Sequence, residues 1–436
     1  MITNHGVHEW GVVPGLPDTG GQNVFVNQFT ASLTRFGYKI TIVNRGGYLH
    51  PVSGEWQRGV HYKDENQRIL YIQDERNEFV RKEDMHEQIP ALVESLQGYL
   101  DGEGIPVNLI ISHYWDAAKI GVVFNDALPA PVQHVWVPHS LGILKKRNVN
   151  PDRWEILRID ERINTERNLI GKLDGIAATS SVIRKTLIQD YGYEGPDLFL
   201  PPCVDTERYH PRRVDEKDPI WEFLSQHSGL PPDEVRSCKI ITEISRTDAT
   251  KRKDVLIKAF TNIDKDLPKR LLVVSIDDNK EALAQKLRGL IGFTGKNAAV
   301  AVVGSIWDIL PTLYTVTDIY CTPSVMEGFG MSAQEAAATE VPVVASNLVP
   351  YVEEYLLGHD IEEVCNACGS SVKVGNGAIV VQADDIRGFT FALEILLKDD
   401  GLRQKMGEEA YHSTIPYFTW GNRVSRFLKM IGTLPE

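Results

Sequence analysis

Glu327 and Glu335 stand eight residues apart, on either side of the turn Gly328-Phe329-Gly330. The glycine-rich turn reads as the opening of a helix, and a helix start presents free backbone N–H groups and positive dipole. Such amides suit an anionic group such as a diphosphate. A carboxylate is a poor phosphate ligand but a good partner for sugar hydroxyls. Amides and acids side by side therefore fit a ligand carrying both phosphate and hydroxyl groups. The same spacing also fits an ordinary helix start with a Glu on each side, so the rest of the chain must decide.

Several other clusters could join that chemistry. Arg246 and Lys251 lie in one loop-like stretch, where a guanidinium and an ammonium can neutralise charge on a leaving diphosphate. Lys253 competes with Lys251 for that role, and Lys251-Arg252-Lys253 also reads as a charged surface turn. His139 and Ser140 can exchange hydrogen bonds with a sugar, while the basic run Lys145-Lys146-Arg147 can grip an anion. Lys82 and Arg162 are further basic candidates, and Ser112-His113-Tyr114-Trp115-Asp116 supplies polar and aromatic groups. Gly20-Gly21-Gln22 opens a helix closely enough for its amides to approach a phosphate or sugar, or simply makes a tight turn.

These residues need elements to position them. Short apolar runs alternate with amphipathic helices nearly throughout, the pattern of parallel βαβ units. Strands are expected at 40–43, 109–111, 132–137 and 175–179, and again at 239–243, 271–275, 299–303, 319–321, 341–345 and 378–381. The clusters at Ser112, Pro138 and Ile244 each follow a strand, where open α/β sheets bind ligands. The expected division is an N-terminal Rossmann-like domain over 1–203 and a second over 204–418, facing a central cleft, with a terminal helix at 419–432 packing back on the first. One gap stands out: the turn before the helix that carries Phe25, Phe29, Leu33 and Phe36 is preceded only by Met1-Ile2-Thr3 as strand material. Either that strand is stunted or the natural start lies upstream.

Composition narrows the partners. At 436 residues, 42% hydrophobic and 24% charged, the chain reads as a soluble two-domain protein with a formal net charge of −13. That charge argues against nucleic acid or an anionic membrane, no apolar run suggests a membrane span, and a cytoplasmic location follows. Five cysteines give no disulfide framework. Cys365 and Cys368 form a lone CxxC that reads more simply as two ordinary thiols in a loop than as half a metal site.

Taken together, the turn Asp18-Thr19-Gly20-Gly21-Gln22, the Ser112 and Pro138 clusters, Arg162-Ile163 with Glu166, and Pro201-Pro202 before Val204-Asp205 resemble retaining glycosyltransferases of the family that includes sucrose-phosphate synthase and mannosylfructose-phosphate synthase. The resemblance runs from Asp18 to Trp420 and implies the α/β GT-B fold. It also implies transfer of a hexose from UDP-glucose or GDP-mannose to a phosphorylated sugar such as fructose 6-phosphate. Arg246 and Lys251 would bind the diphosphate and Glu335 the ribose. Glu327 and the amides of Phe329, Gly330 and Met331 would hold the sugar and phosphates, with Gly21 near the donor. His139 would touch the donor hexose near the reacting carbon. Gly21, Gln22 and Tyr114 would line the acceptor pocket, and Lys82, Ser140, Lys145 and Arg162 would hold an acceptor phosphate.

With no evident carboxylate nucleophile, a front-face mechanism is expected, with no required cofactor or metal site and room for stimulation by a divalent ion. Alternatives stay open: a non-phosphorylated glycoside, lipid or polysaccharide acceptor, or a non-catalytic protein that binds sugar nucleotides. Departures from the family pattern keep the donor base and sugar open. They are Gly328 where proline is usual, Leu348-Val349-Pro350 and Ile276-Asp277-Asp278 where glycine pairs are usual, and the unmatched segment from Gly358 to Gly377.

Overall fold

The structure, a computed structural model, describes residues 1–12, 16–292, 297–304, 306–367 and 369–433. It divides into two compact units, Met1–Pro202 with Trp420–Glu436, and Cys203–Thr419. Cys368 of the CxxC lies outside the described residues, while Cys365 is exposed on a strand.

In the first unit, the strands Leu109–His113, Gln133–Val137, Gly175–Ala178 and Asp197–Phe199 pair in parallel. Most of their apolar residues are buried, as expected where helices cover both faces of a sheet. Ile40–Arg45 pairs in parallel with Gln67–Ile72, which takes Gly59–Tyr62 as an antiparallel edge. Met1–Thr3 joins the two sets. Ile2 bridges in parallel to both Val43 and Ser112. Ile2 N donates to Ile111 O at 2.9 Å, and Val43 N donates to Met1 O at 2.7 Å. The slot that the βαβ pattern demands is thus filled by a strand of minimal length.

The helix Gly21–Arg35 follows the turn at Asp18, and Asn23 accepts a hydrogen bond from Gly20 N at 2.9 Å to fix its start. It buries Phe25, Phe29 and Leu33. The helix Trp420–Met430 packs on it: Trp420 stacks on Phe29 at 5.9 Å, Phe427 meets the same ring edge-on, and Trp420 Nε1 donates to Gln28 at 3.0 Å.

The second unit holds one eight-stranded sheet. Six strands are parallel, in the order Ala298–Val303, Arg270–Ser275, Lys239–Glu243, Ile319–Thr322, Val343–Ser346 and Ala378–Val381. The segment without a family counterpart folds as an antiparallel hairpin, Glu362–Cys365 with Ser371–Val374, that extends this sheet beyond Ala378–Val381. The strand expected from Val341 begins at Val343. No helix among the described residues is long and apolar enough to cross a membrane.

Candidate active site

The second unit gathers its candidates at the carboxyl ends of Lys239–Glu243 and Ile319–Thr322. After the first strand, Asp248 accepts from Thr250 N at 2.8 Å and shapes the turn Ala249–Lys251. After the second, Ser324 Oγ and Val325 N both donate to Thr250 O, at 3.2 and 2.8 Å, tying the two loops together. Lys251 Nζ consequently reaches Glu327 Oε1 at 2.5 Å. Arg246 is exposed on the same loop; burial pushes the Asp248 carboxyl up, but hydrogen bonds from Thr250, and after them the charge of Arg246, hold it below its ordinary range. Lys253 is turned away from this group. Its amine is buried and bonded to Glu243 at 2.7 Å, to Ser275 O at 2.7 Å and to Ser245 O at 2.8 Å. The ambiguity between Lys251 and Lys253 is one of direction: only Lys251 faces Glu327.

The helix Met331–Ala337 starts at Gly330, whose φ of 117° favours glycine. A Cβ there would also lie 2.7 Å from Val349 Cγ1, so Val349, one of the departures from the family pattern, packs directly on the turn. Phe329 is buried beside Tyr351, Tyr355 and Phe418. Glu335 lies on the same helix. Burial pushes its carboxyl up to about 8, against the opposing charge of Arg208 and with Asp205 adding to the rise. Arg208 lies over the Trp307 ring at 4.1 Å. Arg208 was not singled out in the sequence, and Asp205 was named only within the family motif; both stand more than a hundred residues before Glu335, so neither could be tied to it there.

The first unit assembles a second group. Arg162, expected to hold a phosphate, is 1% exposed. Its Nε donates to Glu166 at 2.7 Å, Nη1 to Tyr114 Oη at 2.6 Å, and Nη2 to Ser140 O and Oγ at 2.7 and 2.9 Å. Burial opposes its charge, yet Tyr114 and Glu166 raise its pKa above the ordinary value. Glu166 also accepts from Gly142 N at 2.9 Å and from the Tyr191 hydroxyl, so one carboxylate anchors both Arg162 and the start of the helix Gly142–Asn148. Arg162 and Glu166 stand one helical turn apart, a spacing that could have marked this pair in the sequence.

Lys82 and Lys145 stand beside that frame. Both ammonium groups approach the same atom, Glu83 Oε1, at 3.6 and 3.7 Å, and Lys82 also pairs with Asp18. Burial depresses Lys145. For Lys82 burial is outweighed by Tyr114, Asp18 and Glu83, and its pKa rises. Gly21 is exposed at the helix start, while Gln22 Nε2 donates to Thr3 Oγ1 at 3.1 Å. His139 holds a left-handed backbone, φ 54°, and its Nε2 lies 2.9 Å from His113 Nδ1. Burial lowers His139 to about 3. Tyr114 is also left-handed, φ 77°, with its ring edge against His5 at 4.7 Å; His5 in turn meets Asp116 at 3.0 Å. Non-glycine residues in this region store strain and cluster at functional sites. Glu83, Asp18 and His5 were not read as site residues: Glu83 follows Lys82 in the chain, but only the fold brings it to Lys145, Asp18 to Lys82 and His5 to Tyr114.

Two units of parallel α/β sheet, with polar and charged residues collected after the strand ends, define a GT-B fold. Over 99% of this chain and 98% of the other, the fold matches sucrose-phosphate synthase from Thermosynechococcus elongatus, with a TM-score of 0.76 and 21% identity. Residues 233–413 match the family described as Glycosyl transferases group 1. The chain is 25% identical to mannosylfructose-phosphate synthase of Agrobacterium fabrum, over 99% of this chain and 90% of the relative. It is 26% identical to D-inositol 3-phosphate glycosyltransferase of Corynebacterium aurimucosum, over 93% and 89%. The matched segment lies within the second unit and marks it as a group 1 glycosyltransferase domain, and the whole chain shares the GT-B fold.

Proposed function

We propose that this chain transfers a hexose, with retention, from UDP-glucose or GDP-mannose to a phosphorylated sugar. The observation that carries the acceptor is the convergence of Lys82 and Lys145 on one oxygen of Glu83. Two ammonium groups drawn from distant parts of the chain already surround a single oxyanion, the arrangement a phosphate requires. Tyr114 and Ser140, held by Arg162, supply hydroxyl groups beside them. In this reading Arg162 orders the pocket more than it grips the phosphate, since Glu166, Tyr114 and Ser140 use most of its donors. The names of two relatives, mannosylfructose-phosphate synthase and D-inositol 3-phosphate glycosyltransferase, point to phosphorylated sugar chemistry as well.

For the donor, Glu335 is assigned to ribose hydroxyls, and Glu327 with the amides of Phe329, Gly330 and Met331 to the sugar and phosphates. Arg246 and Lys251 stabilise the charge that grows on the departing diphosphate. A diphosphate oxygen takes the acceptor hydroxyl's proton while the acceptor oxygen bonds to the anomeric carbon, and the bond from that carbon to the diphosphate breaks on the same face, so no carboxylate nucleophile and no bound cofactor enter this scheme. His139 is the first unit's group for the hexose. Cys238, Cys321 and Cys365 are free thiols, which goes with a cytoplasmic location.

A second reading draws on Asp18 and Glu83, which already offset the lysines: the acceptor would then be a non-phosphorylated glycoside, lipid or polysaccharide. Lys82→Ala and Lys145→Ala separate the two. With a phosphorylated acceptor each is expected to raise the acceptor KM by about 10–100-fold, the effect of losing one charge-assisted hydrogen bond. Equal effects on phosphorylated and plain acceptors would overturn the phosphate assignment.

A further inference from the structure

His113 and His139 leave neighbouring parallel strands at the same end, with His113 paired to Val137. Their rings stack at 5.2 Å with an interplanar angle of 27°, and His113 Nδ1 stands 2.9 Å from His139 Nε2. A neutral imidazole has one N–H and one bare nitrogen, so a single proton lies between the two rings. If His113 Nδ1–H donates, His113 Nε2 is bare and the proton of His139 sits on Nδ1. If His139 Nε2–H donates, His113 must carry its own proton on Nε2 and His139 Nδ1 is bare.

The surroundings of His113 choose between these. His113 is 0% exposed, and its Nε2 is buried with no hydrogen-bond partner. Besides His139, the Phe25 and Phe29 rings pack on the His113 ring at 5.9 and 6.3 Å in edge-type contact. An orphaned buried N–H is more costly than an under-satisfied acceptor, so the bare Nε2 is favoured. Charge does not complicate the choice: burial lowers His139 to about 3 and His113 well below its ordinary range, so both rings are neutral near pH 7. Phe25, edge-on to His139 at 4.8 Å, and the left-handed backbone at φ 54° hold the second ring in place. His139 Nδ1 has no hydrogen-bond partner among the described residues.

We propose that His113 is a positioning residue that fixes His139 as the Nδ1–H tautomer, so that His139 offers the hexose a hydrogen-bond donor. This rests on the assignment of His139 to the hexose. A donor there selects an oxygen lone pair of the sugar, either a hydroxyl or the ring oxygen, and rejects a ligand group that can only donate.

Two-bond 1H–15N spectra of the full chain, with labelled histidine, read the tautomer directly. His139 is expected to be protonated on Nδ1. His113→Leu removes the donor and is expected to move His139 toward Nε2–H and to lower kcat by about 10–100-fold, with the acceptor KM changed less than about twofold. His113→Asn places an amide N–H where Nδ1–H stood and should restore both the tautomer and kcat, which a merely structural role would not do. An Nε2–H tautomer in the unsubstituted chain, or an unchanged tautomer in His113→Leu, overturns the proposal. Full turnover in His139→Ala would instead overturn the assignment of His139 to the hexose, whatever its tautomer.

Discussion

Lys251 and Lys253 are two residues apart, yet the fold gives them opposite work. Lys253 sits under the sheet with Glu243, and removing one partner of such a pair leaves the other charge stranded. Lys253→Ala is therefore expected to cost about 3–5 kcal/mol of stability, read as a large fall in Tm. Lys251→Ala should leave Tm nearly unchanged and lower turnover by about 10²–10³, the usual loss for a group that stabilises transition-state charge. A stable, active Lys251→Ala chain would remove Lys251 from the diphosphate site. Glu335 gives a test through pH. Its folded pKa of about 8 lies above the ordinary 4.5, so the native state binds this proton more tightly than the unfolded chain does. The stability it confers is complete below about 4.5 and is lost as pH rises through 8. Glu335→Gln has no such titration, so its Tm should gain on that of the unsubstituted chain between pH 5 and 8, by on the order of a few degrees. A difference that does not vary with pH would place Glu335 outside a buried setting.

Elements were legible where burial and chain chemistry agree. The parallel strands announce themselves as apolar runs because both faces are covered. Gln67–Ile72 was not read, though all six of its residues are buried, because it opens with Gln67 and Arg68. Arg68 is accommodated by Glu103, with Nη1 and Nη2 donating at 2.8 and 2.6 Å, and that partner lies 35 residues on. The hairpin Glu362–Val374 was missed for the opposite reason: its outer strand is mostly exposed and carries two glutamates, a pattern that resembles a loop. Within the site, Arg162 and Glu166 were read together only as part of the family motif, though they stand one helical turn apart, whereas His113–His139 and Lys145–Glu83 depend on strand register and loop closure. Packing of the terminal helix bears on the site as well. Phe25 touches both His139 and Trp420, at 4.8 and 5.0 Å, so the helix Trp420–Met430 supports the ring next to the proposed hexose group. Phe427, 1% exposed, anchors that helix against Phe29. Phe427→Ala should cost about 3–5 kcal/mol and lower kcat along with Tm. A wild-type melting curve would show that the helix is not part of the first unit's core.

At the scale of the whole molecule, the second unit is inserted between the first unit's body and its last helix, and the two ends of the insertion meet. Val204 N donates to Phe418 O at 2.8 Å, and Val204 bridges in parallel to Thr419. The chain thus enters and leaves this unit at one place, so cutting there breaks no strand of its eight-stranded sheet. Its apolar core also closes on itself: Val204, Tyr209 and Phe418 pack in one cluster with Leu271, Val343 and Ala410. A unit with its own core and adjacent ends meets the physical requirements for folding alone. The fragment Cys203–Thr419 is expected to unfold cooperatively by circular dichroism. It should also bind the sugar nucleotide without the first unit, because Arg246, Lys251, Glu327 and Glu335 all belong to it. Titrating it calorimetrically with UDP-glucose and GDP-mannose would separate the donor question from the acceptor question, and Lys251→Ala or Glu335→Ala in the fragment should weaken the tighter of the two by about tenfold or more. A cooperatively folded fragment that binds neither nucleotide would mean that the donor site is not built from the second unit's residues, and the assignment of Glu327 and Glu335 would fall with it.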